Sequence, residues 1–427
     1  RPHDQKGHRP YERRRPENQC ADDQWRSSRR CDWRLRARAR TARPPARRGR
    51  LVANEDKATR YHRLQRRASI VATVLTAAVL FILLVTGASA GMRDLVTDWL
   101  GSSFILTVVG YVVLLGLALE LVGLPLAFYR GVTLERRYGL STQTTARWWI
   151  DHLKAGGISM AFAAIAALIV LSLIRWDPER WWMSAAVVFT AILVLLAQLA
   201  PVILMPLFYE IKPLTRDELR DRLLALANRA GTRITGVFEW RLSDRTKKAN
   251  AALAGIGGTR RILLSDTLLT EHSDDEIEVI LAHELAHHVY RDIWSGIVVE
   301  TVLIALGCFA ADRVLSMFAM SVGLEGKGDV AGLPLLVLAA GAVSLALMPV
   351  ANALSRAHER RADRYALKMT RNGPAFITAM KRLAAQNLAE EEPSWLVQVL
   401  FHTHPSINAR IAAARTFTAP DHKTARG

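Results

Sequence analysis

The residues best suited to chemistry form one short run, the sequence HELAH at residues 283–287. The run follows Ser273 and three acidic residues, a pattern typical of a helix N-terminus. Residues four apart on a helix lie one above the other, so the imidazoles of His283 and His287 can bind one zinc ion. Glu284 can then take a proton from the attacking water. Surface histidines are the alternative interpretation, but the apolar flanking residues predict a buried helix, where unpartnered imidazoles are costly.

A catalytic zinc site needs a third protein ligand and one open position. The segment NALSRAHERRADRYAL places four polar residues on one face of a predicted helix, namely Asn352, Arg356, Glu359 and Asp363. We expect Glu359 to be the third ligand and Asp363 to accept the second ring N–H of a ligating histidine. His358 is a rival ligand that lacks an acid in phase with it. A charged amphipathic helix without a site is the other alternative.

Six apolar stretches approach the length of about 20 residues that crosses the ~30 Å hydrocarbon core as a helix. They are residues 68–90, 104–129, 158–174, 182–205, 294–311 and 333–350. Basic residues are concentrated at the N-terminus and between the second and third stretches. The positive-inside rule therefore places the N-terminus in the cytoplasm. With six spans, the two long polar stretches, residues 206–293 and 351–427, both lie on that side. The sequence therefore predicts a multi-pass protein of the cell membrane.

The predicted fold is mainly α-helical, a polytopic membrane bundle with a cytoplasm-facing α+β zincin catalytic domain. Residues 206–293 contain two predicted strands, VFEWRL and RRILL, a turn-like NAALAGIGG and a helix with a capping box at Thr215 and Glu218. The predicted parts are a basic, disordered tail (1–67), four transmembrane helices (68–205), a catalytic part with the HExxH helix (206–293), two transmembrane helices (294–350) and a cytoplasmic part with the third ligand and C-terminal tail (351–427).

Positive charge is concentrated in the first part of the chain. Among 427 residues, 57 Lys and Arg oppose 39 Asp and Glu, a net charge of +18, and residues 1–68 carry +14 of it. This distribution argues against nucleic acid as a partner, because the charge does not cover a folded face. We expect a solvated tail, or upstream sequence joined to a gene that starts near Leu51 or Val52. A basic arm on anionic lipid is the alternative.

The motifs together resemble the gluzincin integral-membrane metallopeptidases, which include the type I CAAX prenyl proteases and the bacterial heat-shock membrane protease. The resemblance extends from about Leu124 to Ile411. It rests on LPLAFYRGVTLERRYGLSTQTTARWWIDHLK (124–154), PVILMPLFYEIKPL (201–214), KKANAALAGIGGTRRILLSDTLL (247–269), HELAHH (283–288), NALSRAHERRAD (352–363) and HTHPSINARI (402–411). Two features differ from the prenyl-protease branch: six predicted spans instead of seven, and His-Pro-Ser where that family has His-Pro-Pro.

The resemblance assigns roles to individual residues. It implies that Glu284 is the general base and that Asn250 holds the substrate backbone beside an edge strand, here RRILL. It implies that His404 and Arg410 stabilise the transition state or position the substrate. It also implies a membrane helical chamber closed by a cytoplasm-facing protease site. The implied zinc ligands are His283, His287 and Glu359.

The expected activity is zinc-dependent endoproteolysis of membrane or membrane-associated polypeptides, with the lipid bilayer as the protein's environment. The amino-acid composition, rich in Ala and Arg, indicates a high-GC bacterial genome, in which prenylated substrates are not expected. A non-proteolytic membrane scaffold or chaperone with structural zinc is the alternative. Structural zinc sites normally have four protein ligands, whereas this sequence offers three candidate ligands and an adjacent glutamate. A transporter would predict internal repeats, and we find none in the sequence.

Overall fold

The computed structural model describes residues 56–199, 203–255 and 260–418. Predictions for the tail up to residue 55, and for residues 419–427, lie outside the described residues. The helices are α1 (Lys57–Val85), α2 (Ala88–Leu100), α3 (Phe104–Phe128), α4 (Glu135–Arg137), α5 (Thr145–Trp176), α6 (Trp181–Leu199), α7 (Met205–Phe208), α8 (Asp217–Arg229), α9 (Asp266–Glu271), α10 (Asp274–Val289), α11 (Asp292–Phe318), α12 (Leu333–Thr370), α13 (Gly373–Asn387), α14 (Trp395–Phe401) and α15 (Ile407–Thr418). A π-helical turn, Tyr129–Leu134, joins α3 to α4.

Six helices in the described part of the chain are long and apolar enough to cross a membrane, as predicted. The most apolar 18 residues of each have a mean hydropathy between 2.0 and 2.7, and the helices are α1, α3 with its continuation to Arg137, α5, α6, α11 and α12 with the turn before it. The first begins at Lys57, inside the segment predicted as tail, where Tyr61 packs against Tyr138 and Leu140. This contact between distant segments extends the helix beyond the span that hydropathy alone defines.

Helix α12 joins the membrane bundle to the catalytic part. Its 38 residues include both the apolar stretch 333–350 and the polar stretch that carries Glu359. A helix can leave the hydrocarbon region without interruption because its backbone hydrogen bonds are internal. The third expected ligand therefore lies on the direct continuation of the sixth membrane helix.

In the described part of the chain one sheet has the strand order β1-β2-β4-β3, where the strands are β1 (Ile211–Pro213), β2 (Gly236–Trp240), β3 (Ala251–Ala254) and β4 (Arg261–Ser265). Strand β2 is parallel to β4, and the two outer strands are antiparallel to their neighbours. The expectation that RRILL is an edge strand is wrong, since β4 is internal and β3 is the edge. Part of the predicted turn, residues 251–254, forms β3 because this alanine-rich segment gains its stability from pairing with β4.

The two polar stretches share one hydrophobic core. Residues from both stretches are completely or almost completely buried in it, including Leu223 of α8, Ile262 of β4, Leu281 of α10, Ala366 of α12 and Phe376 of α13. Each buried Leu, Ile or Phe side chain among them contributes about 1.5–3 kcal/mol relative to exposure. The shared core places both stretches on the same side of the membrane bundle, as one active site requires.

The helix that carries the histidines has a capping box at its N-terminus. The backbone N–H of Ser273 donates to Oε2 of Glu276 at 2.9 Å, and that of Glu276 donates to Oγ of Ser273 at 3.4 Å. The prediction of a capping box there is confirmed. The capping box predicted at Thr215 is wrong, because Arg216 is the N-cap of α8 and makes no side-chain cap.

Replacing Ser273 with Ala is expected to lower the free energy of unfolding by about 1 kcal/mol, because the backbone N–H of Glu276 loses its hydrogen-bond acceptor. The midpoint of thermal unfolding of the detergent-solubilised protein measures this change. Ser273→Thr keeps the hydroxyl and is expected to unfold near the wild-type temperature. Equal stability of the Ala and Thr variants would contradict the capping argument.

Candidate active site

Two helices bring together the three residues expected to bind metal. His283 and His287 lie one turn apart on α10, with ring centroids 5.0 Å apart. Glu359 of α12 faces both of them, with Oε2 3.2 Å from Nε2 of His283 and Oε1 3.4 Å from Nε2 of His287. One ligand atom from each residue lies within 4.8 Å of the other two. The three side chains can therefore hold one metal ion.

The chemistry of these atoms fits a metal ion. His283 and Glu359 are buried, and within the described residues Oε2 of Glu359 accepts no well-directed hydrogen bond, although Nδ1 of His404 lies 2.8 Å from it. A buried carboxylate oxygen without such a bond is costly unless a cation binds it. Two imidazole nitrogens and a carboxylate are a common donor set for a catalytic metal that keeps one position open.

A carboxylate orients each histidine ring. Nδ1 of His283 lies 3.0 Å from Oδ1 of Asp363, and Nδ1 of His287 lies 2.9 Å from Oδ2 of Asp292. Because an ionised carboxylate only accepts hydrogen bonds, Nδ1 of each ring donates to its carboxylate, and Nε2 is the nitrogen left available to a metal ion. Burial lowers the pKa of His283, but Asp363 and Glu359 outweigh burial and raise it to about 9. Such pairing fixes ring orientation and increases ligand basicity.

Asp292 is a site residue that the sequence analysis missed. Helix α10 ends at Val289, and the chain turns through Arg291, whose φ is 57°. Asp292 then begins α11, is buried, and also pairs with Arg361. An acidic residue at this position is typical of a helix N-terminus, so its sequence context suggests a helix start rather than a partner for histidine.

The structure places Arg410 behind the histidines. Its guanidinium donates to both oxygens of Asp363, with Nη2 2.6 Å from Oδ1 and Nε 2.9 Å from Oδ2. Nη2 also lies 3.5 Å from Nδ1 of His283. Arg410 thus contacts the carboxylate that orients a histidine. The resemblance implied that Arg410 acts on the transition state or the substrate, whereas here its side chain is only 11% exposed and pairs with Asp363.

Glu284 lies between the two histidines in sequence and is partly buried. Burial raises the pKa of its carboxyl, and the positive charges of His283 and His287 oppose that rise. A carboxylate with a raised pKa accepts a proton more readily than an ordinary one, as a general base must.

His404 approaches the site from the open side. It follows α14, and its side chain is 60% exposed, whereas that of Glu359 is only 7% exposed. Nδ1 of His404 lies 2.8 Å from Oε2 of Glu359. The rival ligand His358 instead lies 3.3 Å from Oγ of Ser295 and away from this group. Of the two histidines, His404 is the one that a substrate in the site could reach.

Asn250 immediately precedes the edge strand β3 and is exposed. Its backbone N–H donates to Oγ of Ser265 at 2.9 Å, which ties the start of β3 to β4. At the other end of β3, Nε2 of His288 lies 3.3 Å from the carbonyl oxygen of Leu253 and links the strand to α10. Within the described residues no strand pairs with the other edge of β3, and these contacts fix that free edge relative to the helix that carries His283 and His287.

Comparison with known proteins identifies the family. The model of peptidase family M48 matches residues 213–418, and a model described as CAAX prenyl protease N-terminal, five membrane helices, matches residues 34–210. A Bacillus subtilis protein described as the uncharacterized metalloprotease YhfN is 34% identical over 350 residues, covering 81% of this chain and 82% of the relative. The chain belongs to peptidase family M48.

The chain is also similar to a more distant curated protein and to a solved structure. CAAX prenyl protease 1 of Saccharomyces cerevisiae is 27% identical over 313 residues, which cover 69% of this chain and 68% of the yeast protein. The crystal structure of S. mikatae Ste24p superposes with a TM-score of 0.76 at 23% identity, covering 84% of this chain and 88% of that one. The latter likeness establishes the shared fold.

Family membership establishes the class of activity. This M48 protein is a membrane-embedded metalloendopeptidase whose substrate is a polypeptide and whose catalysis uses a metal ion. The predictions of a metallopeptidase and of a multi-pass membrane protein are confirmed. All residues assembled around His283 and His287 lie within the part matched by the M48 model.

Proposed function

We propose that this M48 protein is a zinc endopeptidase in which His283, His287 and Glu359 bind one zinc ion and Glu284 is the general base. The observation that carries the proposal is the convergence of two imidazole Nε2 atoms and one buried carboxylate. Two nitrogens and one oxygen are typical ligands of catalytic zinc. A scaffold with structural zinc is less well supported, since only these three residues form a metal-binding group in the described part of the chain.

Each residue around the proposed zinc position has its own role in peptide hydrolysis. Zinc in this position would polarise the scissile carbonyl and acidify a water molecule. Glu284 removes the proton from the attacking water and delivers it to the leaving amine, which breaks the C–N bond. Asp363 and Asp292 keep both Nε2 atoms directed at the metal position. His404 donates a hydrogen bond to the oxyanion from the open side.

The edge of the sheet suggests how a polypeptide binds. An extended peptide adds to the free edge of β3 through backbone hydrogen bonds, which makes binding largely independent of side chains. The exposed Asn250 holds the peptide backbone at the start of that strand. Because α12 runs from the bundle to Glu359, substrates are membrane or membrane-associated polypeptides that reach the site near the bilayer.

The catalytic side of the bundle is proposed to face the cytoplasm of a bacterial cell. The basic loop between α3 and α5 packs on the catalytic part, with the N–H of Thr142 donating to the carbonyl oxygen of Arg245 at 3.1 Å. Loops rich in Lys and Arg remain in the cytoplasm. The yeast relative is named for CAAX prenyl substrates. For this chain we propose unprenylated polypeptides as the main substrates.

Removing the metal is expected to abolish proteolysis. The purified detergent-solubilised protein should contain about one zinc ion per chain, the number that a single three-ligand site holds. It should cleave casein, lose that activity with 1,10-phenanthroline, and regain it when zinc is added. Elemental analysis and casein cleavage measure both properties, and a farnesylated CAAX peptide tests the alternative substrate class.

The isomer 1,7-phenanthroline, which does not chelate, is the matched control and should leave cleavage unchanged. Zinc-loaded protein that cleaves neither casein, the farnesylated peptide nor itself would contradict the proposal and favour the scaffold.

A further inference from the structure

The chain segment 388–404 follows α13, includes α14 and ends at His404. We propose that Arg66, on the first membrane helix, is a positioning residue that acts through Glu390 to hold His404 beside Glu359. This inference rests on the proposed role of His404 in proteolysis. It makes α1 part of the active-site architecture, although α1 supplies none of the proposed metal ligands.

An ion pair fixes the start of the segment to α1. Nη1 of Arg66 donates to Oε2 of Glu390 at 2.6 Å, and the side chains are only 17% and 4% exposed. One helical turn earlier, Nε2 of His62 lies 2.9 Å from the carbonyl oxygen of Leu388. Leu388 has a φ of 53°, a strained value for a branched side chain, so the contacts from α1 hold an unfavourable turn.

The other end of the segment is fixed to α12. Nδ2 of Asn352 donates to the carbonyl oxygen of Leu400 at 2.8 Å. Nη1 of Arg356 donates to the carbonyl oxygens of Gln398 at 2.9 Å and His402 at 2.7 Å. Asn352 and Arg356 lie on the same stretch of α12 as Glu359. These bonds fix the backbone two residues before His404.

Glu390 connects these two sets of contacts. Its Oε2, which accepts from Arg66, lies 3.6 Å from Nε2 of His402. The segment is therefore held between α1 and α12, and the Arg66–Glu390 pair provides a charge–charge contact on the α1 side. Loss of Arg66 leaves a buried carboxylate without its cation, which is strongly unfavourable. Glu390 then moves toward water, and because its Oε2 also contacts His402, the backbone that leads to His404 loses its support on the α1 side.

Arg66→Gln is expected to lower kcat for casein cleavage by about 10- to 100-fold, the loss typical of a catalytic group displaced by about 1 Å. KM and zinc content should remain at wild-type values, because the ligand residues and β3 lie outside the segment. Arg66→Lys should recover part of the lost kcat by restoring the charge. Arg67→Gln makes the same change at an exposed neighbour and should behave as wild type.

A double-mutant cycle separates positioning from general destabilisation. In a His404→Ala background, Arg66→Gln should cause no further loss of kcat, since coupled residues are not additive. An equal loss in that background would overturn the proposal, and so would equal activity of the Arg66→Gln and Arg67→Gln proteins.

Hydrogen exchange tests the positioning contact without relying on activity. Amides of residues 395–402 should exchange faster in Arg66→Gln than in Arg67→Gln, because the segment loses its attachment to α1. Unchanged exchange would overturn the proposed contact. Faster exchange in a protein whose wild type cleaves nothing would support the contact while contradicting the proposed function.

Discussion

Replacing Glu284 with Gln is expected to lower kcat for peptide hydrolysis by about 10²- to 10⁴-fold, the contribution typical of a general base. Glutamine has nearly the same shape but cannot accept the proton of the attacking water. Glu284 lies outside the group of residues that can hold the metal, so the variant should retain its zinc. Steady-state kinetics on casein and elemental analysis of the same preparation measure both properties.

Glu278→Gln is the matched control for this experiment. Glu278 lies on the same helix but pairs with Arg222 and Arg229. Its replacement should leave kcat unchanged. Wild-type activity in the Glu284→Gln protein would show that another group accepts the proton. Loss of zinc from that variant would instead contradict the separation of general base from metal ligands.

The sequence was sufficient to predict the parts of the site that lie within one helix. His283 and His287 are neighbours because α-helical geometry brings residues four apart together. Glu359 and Asp363 share a face of α12 for the same reason. The capping box at Ser273 also depends on contacts over only three residues. Local periodicity determines these relationships, so no knowledge of the tertiary structure is needed to expect them.

Relationships across the chain could not be obtained from periodicity. Arg410 binds Asp363 although 47 residues separate them, and the pairing depends on the packing of α15 against α12. Asp292 reaches His287 only because the chain turns at Arg291. The alanine-rich β3 has weak intrinsic strand propensity and forms by pairing with β4. In each case tertiary packing determines the contact.

The membrane helices and the catalytic part are less separable than the hydropathy pattern indicates. Hydropathy divides the chain at residue 350, whereas α12 continues from the bundle to Glu359 without interruption. Helix α1 likewise begins N-terminal to its apolar stretch, and this extension places Arg66 against Glu390. Both extensions are polar, so hydropathy cannot detect them. The bundle therefore acts as a support for the site in addition to anchoring the protein.

Replacing Asp363 with Ala is expected to cause the largest loss of stability among the site residues. Asp363 is buried and bonds to His283 and to both donor atoms of Arg410. Its removal leaves the Arg410 charge in the interior without a partner, which costs about 3–5 kcal/mol. The loss of a partner that orients His283 should also weaken zinc binding by about 10- to 100-fold. Thermal unfolding without metal and a zinc competition titration measure the two effects separately.

Two further variants test the cause of that destabilisation. Asp217→Ala removes a surface carboxylate that pairs with Arg220, and exposed pairs contribute only about 0–1 kcal/mol. The double variant Asp363→Ala/Arg410→Leu should be more stable than Asp363→Ala alone, because removing both partners leaves no unpaired charge. Its zinc affinity should remain low, since His283 still lacks its carboxylate. A double variant no more stable than Asp363→Ala would mean that cavity formation, and not the unpaired charge of Arg410, causes the loss.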